Sequence, residues 1–185
     1  MKFLESLFLV MLLAVGSFAQ PAANGSSASA RLPMPSAIAD SLPWFAVREV
    51  STANAPFTKT HLTQLAQANK RVALVYFATW CIPCREGVKR LAKAKDLLAQ
   101  NKVGVVLVNI GENDEKLIEK WVEKLGASDF KIIVDPFKRM TENFGIVGAG
   151  EEMALPKTLV VDSQVKPVIL IGQEGKDWPQ ILWAK

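Results

Sequence analysis

Cys81 and Cys84 are the only cysteines of the chain, with Ile82 and Pro83 between them. Few chemistries fit that spacing. A zinc site needs four ligands, and the chain offers no further cysteine and a single histidine, His61. A copper site of the cysteine–histidine type would want a histidine downstream, and none follows His61. A peroxidatic cysteine would want a threonine and a proline at set distances before it, where Ala78 and Leu74 stand. A bridge that only staples the fold gains most by closing a long loop, and this one encloses two residues. The chemistry that does fit is disulfide exchange, in which one thiolate attacks and a second thiol resolves the mixed disulfide.

Such a pair must be held where a thiolate is stabilised. Val72-Ala73-Leu74-Val75-Tyr76-Phe77 is a continuous apolar run, as a strand buried on both faces requires. Helical spacing follows from Pro83 to Gln100, with Leu91 and Leu98 on the apolar face. Cys81 therefore falls between a strand end and a helix start. The unpaired N–H groups and the positive dipole end of that helix favour a thiolate there. Cys84 lies one turn in, and Pro83 is tolerated in the first turn because its missing N–H would have had no partner.

Around this unit, Phe45–Val50 reads as a short strand and 61–69 as a helix that Thr60 could cap. Val103–Ile110 and Phe130–Val134 read as strands. Asp114–Leu125 and Phe137–Phe144 read as helices closed by Gly126 and Gly145. Thr158–Val161 and Val165–Ile171 form a hairpin about Asp162-Ser163-Gln164, and a last helix begins at Trp178. The order β-α-β-α-β-α-β-β-α predicts an α/β fold with parallel strands, covering helices and an antiparallel edge. A reactive site in such a sheet belongs at the carboxyl end of a strand, where Cys81 falls.

Residues 1–19 read as a cleaved signal peptide, with an uncleaved N-terminal membrane anchor as the alternative: Lys2, an apolar run from Leu7 to Val15, and Ser17-Phe18-Ala19 as the small-x-small cleavage pattern. The apolar run is shorter than the ~20 residues of a spanning helix. Residues 20–43, rich in Ala, Ser, Pro and Gly, read as a flexible linker, and residues 44–185 as the single domain. The expected location is periplasmic or otherwise exported, an oxidising space for both cysteines. Net charge is +4 with the lysines scattered, which argues against a nucleic-acid partner.

The segment Phe77-Ala78-Thr79-Trp80-Cys81-Ile82-Pro83-Cys84-Arg85 resembles the active-site segment of the thioredoxin superfamily, most nearly its TlpA/ResA/CcmG-like exported branch. Leu155-Pro156-Lys157-Thr158-Leu159-Val160-Val161-Asp162 is similar to that family's cis-proline loop and following strand. The resemblance implies a thioredoxin-like fold, a central mixed sheet flanked by helices. It implies Cys81 as exposed nucleophile and Cys84 as the more buried resolving thiol. Trp80, Ile82, Pro83, Leu155 and Pro156 would line the substrate site, with Pro156 cis and its loop pairing with an extended substrate segment. No cofactor and no metal are implied. Partners would be protein thiols and disulfides and, for a reductase, a membrane electron donor of the DsbD/CcdA type, with the protein acting as a monomer.

Two departures stand out. Thioredoxin has a buried acid six positions before the first cysteine, where this chain has Val75. Many TlpA-like proteins have a glutamate three positions after the second cysteine, where this chain has Gly87, with Glu86 one position early. Help from a buried carboxylate in moving the resolving thiol's proton is therefore expected to be absent. The Ile82-Pro83 dipeptide has no histidine, unlike strong oxidants of the DsbA type, and this favours a reductase. A dithiol oxidase or isomerase, or a non-redox binding module, are the alternatives. The stretch 146–154 is longer than the usual link into the cis-proline, and its glycines predict mobility beside Glu151 and Glu152. His61 is expected at a helix start, away from the chemistry.

Overall fold

The computed structural model describes residues 28–36, 38, 46–48 and 59–184. The expected signal peptide, most of the expected linker and the domain start at 44–45 lie outside the described residues. The elements run β1 (Ala30–Leu32), β2 (Ala46–Arg48), β3 (Lys59–His61), α1 (Leu62–Ala68), β4 (Arg71–Phe77), α2 (Ile82–Lys93) and α3 (Lys95–Gln100). They continue β5 (Val103–Ile110), α4 (Glu115–Lys124), β6 (Lys131–Asp135), α5 (Arg139–Asn143), β7 (Lys157–Asp162), β8 (Pro167–Gln173) and α6 (Trp178–Ile181). The six-stranded sheet has the order β1-β8-β7-β4-β5-β6, and β2 pairs with β3 in a separate ribbon. β4, β5 and β6 are parallel, while β7 is antiparallel to both β4 and β8.

The apolar runs of β4 and β5 are continuous because both faces of the sheet are covered. Alternation divides them between two cores. Ala73, Val75 and Phe77 face Cys84, Val88 and Leu91 of α2, Ile118 and Trp121 of α4, and Trp178 of α6. Val72, Leu74 and Tyr76 face Leu62 and Ala66 of α1 and Met140 of α5. Phe77 and Trp121 stack with ring centroids 4.9 Å apart, a contact worth roughly 0.5–1.5 kcal/mol beyond the area it buries.

Four expectations need correction. The stretch expected to be only linker supplies β1, which pairs antiparallel with β8 through Arg31 opposite Ile171 and Leu32 opposite Leu170. The β7–β8 hairpin is therefore not the sheet edge; β7 is interior and β8 is covered by β1. The long helix from Pro83 is two helices, broken at Ala94, whose N–H is shared between the carbonyls of Arg90 and Leu91. Apolar periodicity continues across that break, so it gives no warning of it. Thr60 lies in β3 rather than capping α1, and His61 holds the cap position without a side-chain cap bond.

Candidate active site

Cys81 and Cys84 form a disulfide with their Cα atoms 5.3 Å apart. Cys81 is the N-cap of α2 and Pro83 sits in its first turn. The Cys84 N–H donates to Cys81 Sγ at 3.2 Å, so the sulfur already meets one of the helix's free donors. The Cys81 N–H donates to the carbonyl of Ala78 at 3.1 Å, closing the turn out of β4. Exposure corrects one expectation: in the closed bridge Cys81 is 4% exposed and Cys84 1%, so the first cysteine is buried too. The open surface belongs to its neighbours, Trp80 and Ile82, each 70% exposed. Pro83 is exposed as well.

The Leu155–Pro156 peptide bond is cis. Lys157 lies opposite Tyr76 and Thr158 opposite Val75, so one further step sets Pro156 level with Phe77. That is the end of β4 from which the Cys81 turn departs. Leu155 and Pro156 are both half-buried. The topology thus gathers Trp80, Cys81, Ile82, Pro83, Leu155 and Pro156 at one end of the sheet. His61 stays apart, at the start of α1. Ala78 and Leu74 are both buried and apolar.

The sequence reading missed Glu112, in the turn after β5. One of its carboxylate oxygens accepts from Thr79 Oγ1 at 2.5 Å and the other from the Thr79 N–H at 2.8 Å. Asn109 Nδ2 donates to that second oxygen at 2.6 Å. Glu112 therefore fixes the turn that carries Trp80 and Cys81, and its place beyond a strand's carboxyl end was the available signal. The stretch 146–154 is more tied down than its glycines predict. Ile146 and Met153 are buried, the Gly150 N–H donates to Glu142, and the Gly148 N–H to Glu151.

Residues 38–166, well over half of the chain, match the AhpC/TSA family. The chain belongs to that family. Among curated relatives it is 31% identical to the thiol-disulfide oxidoreductase ResA of Geobacillus thermodenitrificans over 116 residues, 61% of this chain and 62% of that protein. It is 29% identical to the thioredoxin-like protein YneN of Bacillus subtilis over 97 residues, 51% of this chain and 52% of that one. The matches thus span about half to six tenths of these relatives' lengths. Among solved structures, a secreted thiol-disulfide isomerase of Corynebacterium glutamicum superposes with a TM-score of 0.65 at 20% identity, covering 90% of this chain and 93% of that one. The fold is thioredoxin-like. No helix among the described residues is long and apolar enough to cross a membrane.

The family match ends before β8, and one site feature lies beyond it. Glu174, just after β8, is buried. Its Oε1 accepts from Thr158 Oγ1 at 2.9 Å, while Oε2 has no hydrogen-bond partner. Burial pushes its carboxyl up to about 8, against the opposing pull of the Thr158 hydroxyl and the Arg90 charge. The residue it approaches is Gly87 of α2, where a Cβ would overlap Glu174 Oε2 and come within 3.0 Å of the Trp178 ring. Glu174 thus brings a carboxyl to the place on α2 where Gly87 has no side chain. Glu86, its neighbour in the chain, points to solvent and pairs with Lys89 at 3.0 Å.

Proposed function

We propose that the protein is a thiol-disulfide oxidoreductase that acts on exported proteins through Cys81 and Cys84, in the reducing direction. The observation that carries this reading is the Cys81–Cys84 bridge at the N-terminus of α2, framed by exposed Trp80 and Ile82. In the dithiol state the Cys81 thiolate attacks one sulfur of a substrate disulfide, and the other substrate sulfur leaves with the electron pair. Cys84 then attacks Cys81 Sγ, closes the bridge and releases the second substrate thiol. The substrate gains two electrons and the pair loses two. A membrane donor of the DsbD/CcdA type returns them.

Trp80, Ile82 and Pro83 give the substrate an apolar seat, and the loop at Leu155 and Pro156 offers carbonyls for strand-like pairing. The reducing direction is supported by Ile82-Pro83, an apolar dipeptide without a charge or a histidine to hold an extreme thiolate. Residues 1–19 act as the export signal, and the protein works as a monomer without cofactor.

The test is the redox equilibrium of the pair in glutathione and dithiothreitol buffers, read by thiol trapping. A potential near thioredoxin's, about −270 mV, is the expected result. A value near −120 mV would reverse the direction and make the protein an oxidant. No exchange at all would leave a binding module.

A further inference from the structure

Among the described residues, Glu174 is the one buried carboxyl that the exchange chemistry above does not use and whose hydrogen bonding is incomplete. Its surroundings come from four elements. α2 contributes Gly87 and the Arg90 guanidinium, which donates to the Glu174 backbone carbonyl at 2.6 Å. β7 contributes the Thr158 hydroxyl, α6 the Trp178 ring, and the sheet beneath is apolar, with Val75 and Ile171 on either side of Thr158. Among the described residues, Arg90 is the charge acting on the carboxyl.

Position is decisive. Gly87 follows Cys84 by three residues on α2, and side chains at that spacing have Cβ atoms about 5–6 Å apart. Glu174 Oε2 occupies the space of the Cβ that Gly87 lacks. The carboxyl therefore meets α2 one turn beyond Cys84.

We propose that Glu174 is the proton carrier for the resolving thiol, taking the Cys84 proton as the mixed disulfide resolves and returning one when the bridge is opened, with Gly87 left bare to admit it. The inference rests on the exchange activity proposed above. In the resolving step the Glu174 carboxylate removes the proton from Cys84 Sγ. The sulfur's freed electron pair forms the bond to Cys81 Sγ, and the bond from Cys81 to the substrate sulfur breaks. The substrate thiolate leaves with that electron pair and is protonated by the Glu174 carboxylic acid or by water. A carboxyl raised toward neutrality can both accept and donate at working pH.

The test uses the reduced full chain and excess oxidised glutathione, followed by tryptophan fluorescence from pH 5 to 10. The concentration-dependent phase reports attack by Cys81, and the later concentration-independent phase reports resolution by Cys84. Glu174→Gln is expected to leave the first phase unchanged. The second should lose its inflection near pH 8 and slow at pH 7 on the order of 10²-fold, the low end of general acid–base catalysis. Thr158→Val, which keeps the acid but removes its hydrogen bond, should move that inflection upward. A wild-type profile in the second phase of both variants would overturn the inference while leaving the exchange activity standing. A wild-type protein with neither phase would overturn both.

Discussion

Among the described residues two carboxyls are buried, one at the end of β6 and one just after β8, and they are treated differently. Asp135 closes β6, and three donors from α5 meet it: the Met140 N–H at 3.3 Å, the Thr141 N–H at 2.9 Å and Thr141 Oγ1 at 2.7 Å. It serves the helix as an extended N-terminal cap. Glu174 receives one hydroxyl and leaves an oxygen without a partner. A buried carboxylate surrounded by donors is part of the frame. One left short of them sits close to its neutral form, and it is the one packed against Gly87, one turn beyond Cys84 on α2.

The largest consequence is in stability against pH. Glu174 has a folded pKa raised above its unfolded value, so between about pH 4.5 and 8 the folded state holds a proton that the unfolded state has lost. Stability contributed by that proton is present at low pH and falls as pH rises through this window, by on the order of 4 kcal/mol in total. Glu174→Gln should remove that slope. Urea midpoints of variant and wild type should diverge steadily from pH 4.5 to 8 and run parallel above it. Parallel curves throughout would erase the distinction between the two acids.

Asp135→Ala should act the other way. It strands two backbone N–H groups and a hydroxyl and should cost about 3 kcal/mol by chemical unfolding at pH 7, while the pH profile of exchange in the folded fraction stays unchanged. A shifted profile would mean that both acids talk to the cysteines. The smallest effect belongs to Glu86→Ala. That side chain is 56% exposed and its partner Lys89 44% exposed, so neither the unfolding midpoint nor the exchange rate should move measurably. A loss of exchange there would assign to the neighbour in sequence what the geometry assigns to the neighbour in space.

The cysteine pair was legible because its chemistry is local: a buried apolar run, a turn, two thiols and the start of a helix stand in the thirteen consecutive positions from Val72 to Cys84. Pro156 was legible from its flanking strand. Glu174 was not, because nothing within ten residues of it suggests a site; it reaches α2 only because β8 lies beyond β7 from β4. Its signal was a missing side chain. A glycine inside a helix costs stability and usually has a packing reason, and Gly87 has one. β1 escaped for a related reason. Its three side chains are all exposed, with Leu32 lying over Gly172 of β8, so it leaves no alternating apolar pattern to read. Glu112 lay in a turn that the reading assigned no task.

That short strand has a consequence for handling the protein. β1 covers the hydrogen-bonding edge of β8, and its start is fastened where the Ser29 N–H donates to Asp177 at 2.7 Å and the Gly175 N–H to Ser29 Oγ at 2.9 Å. A chain shortened to begin at Trp44 would keep every residue of the cysteine site and lose this cover. The bared edge of β8 would then be open to recruit a strand from another molecule, the usual beginning of self-association. Three solvent-facing residues thus act as a guard on colloidal behaviour, and a domain boundary drawn from the chemistry alone would discard them.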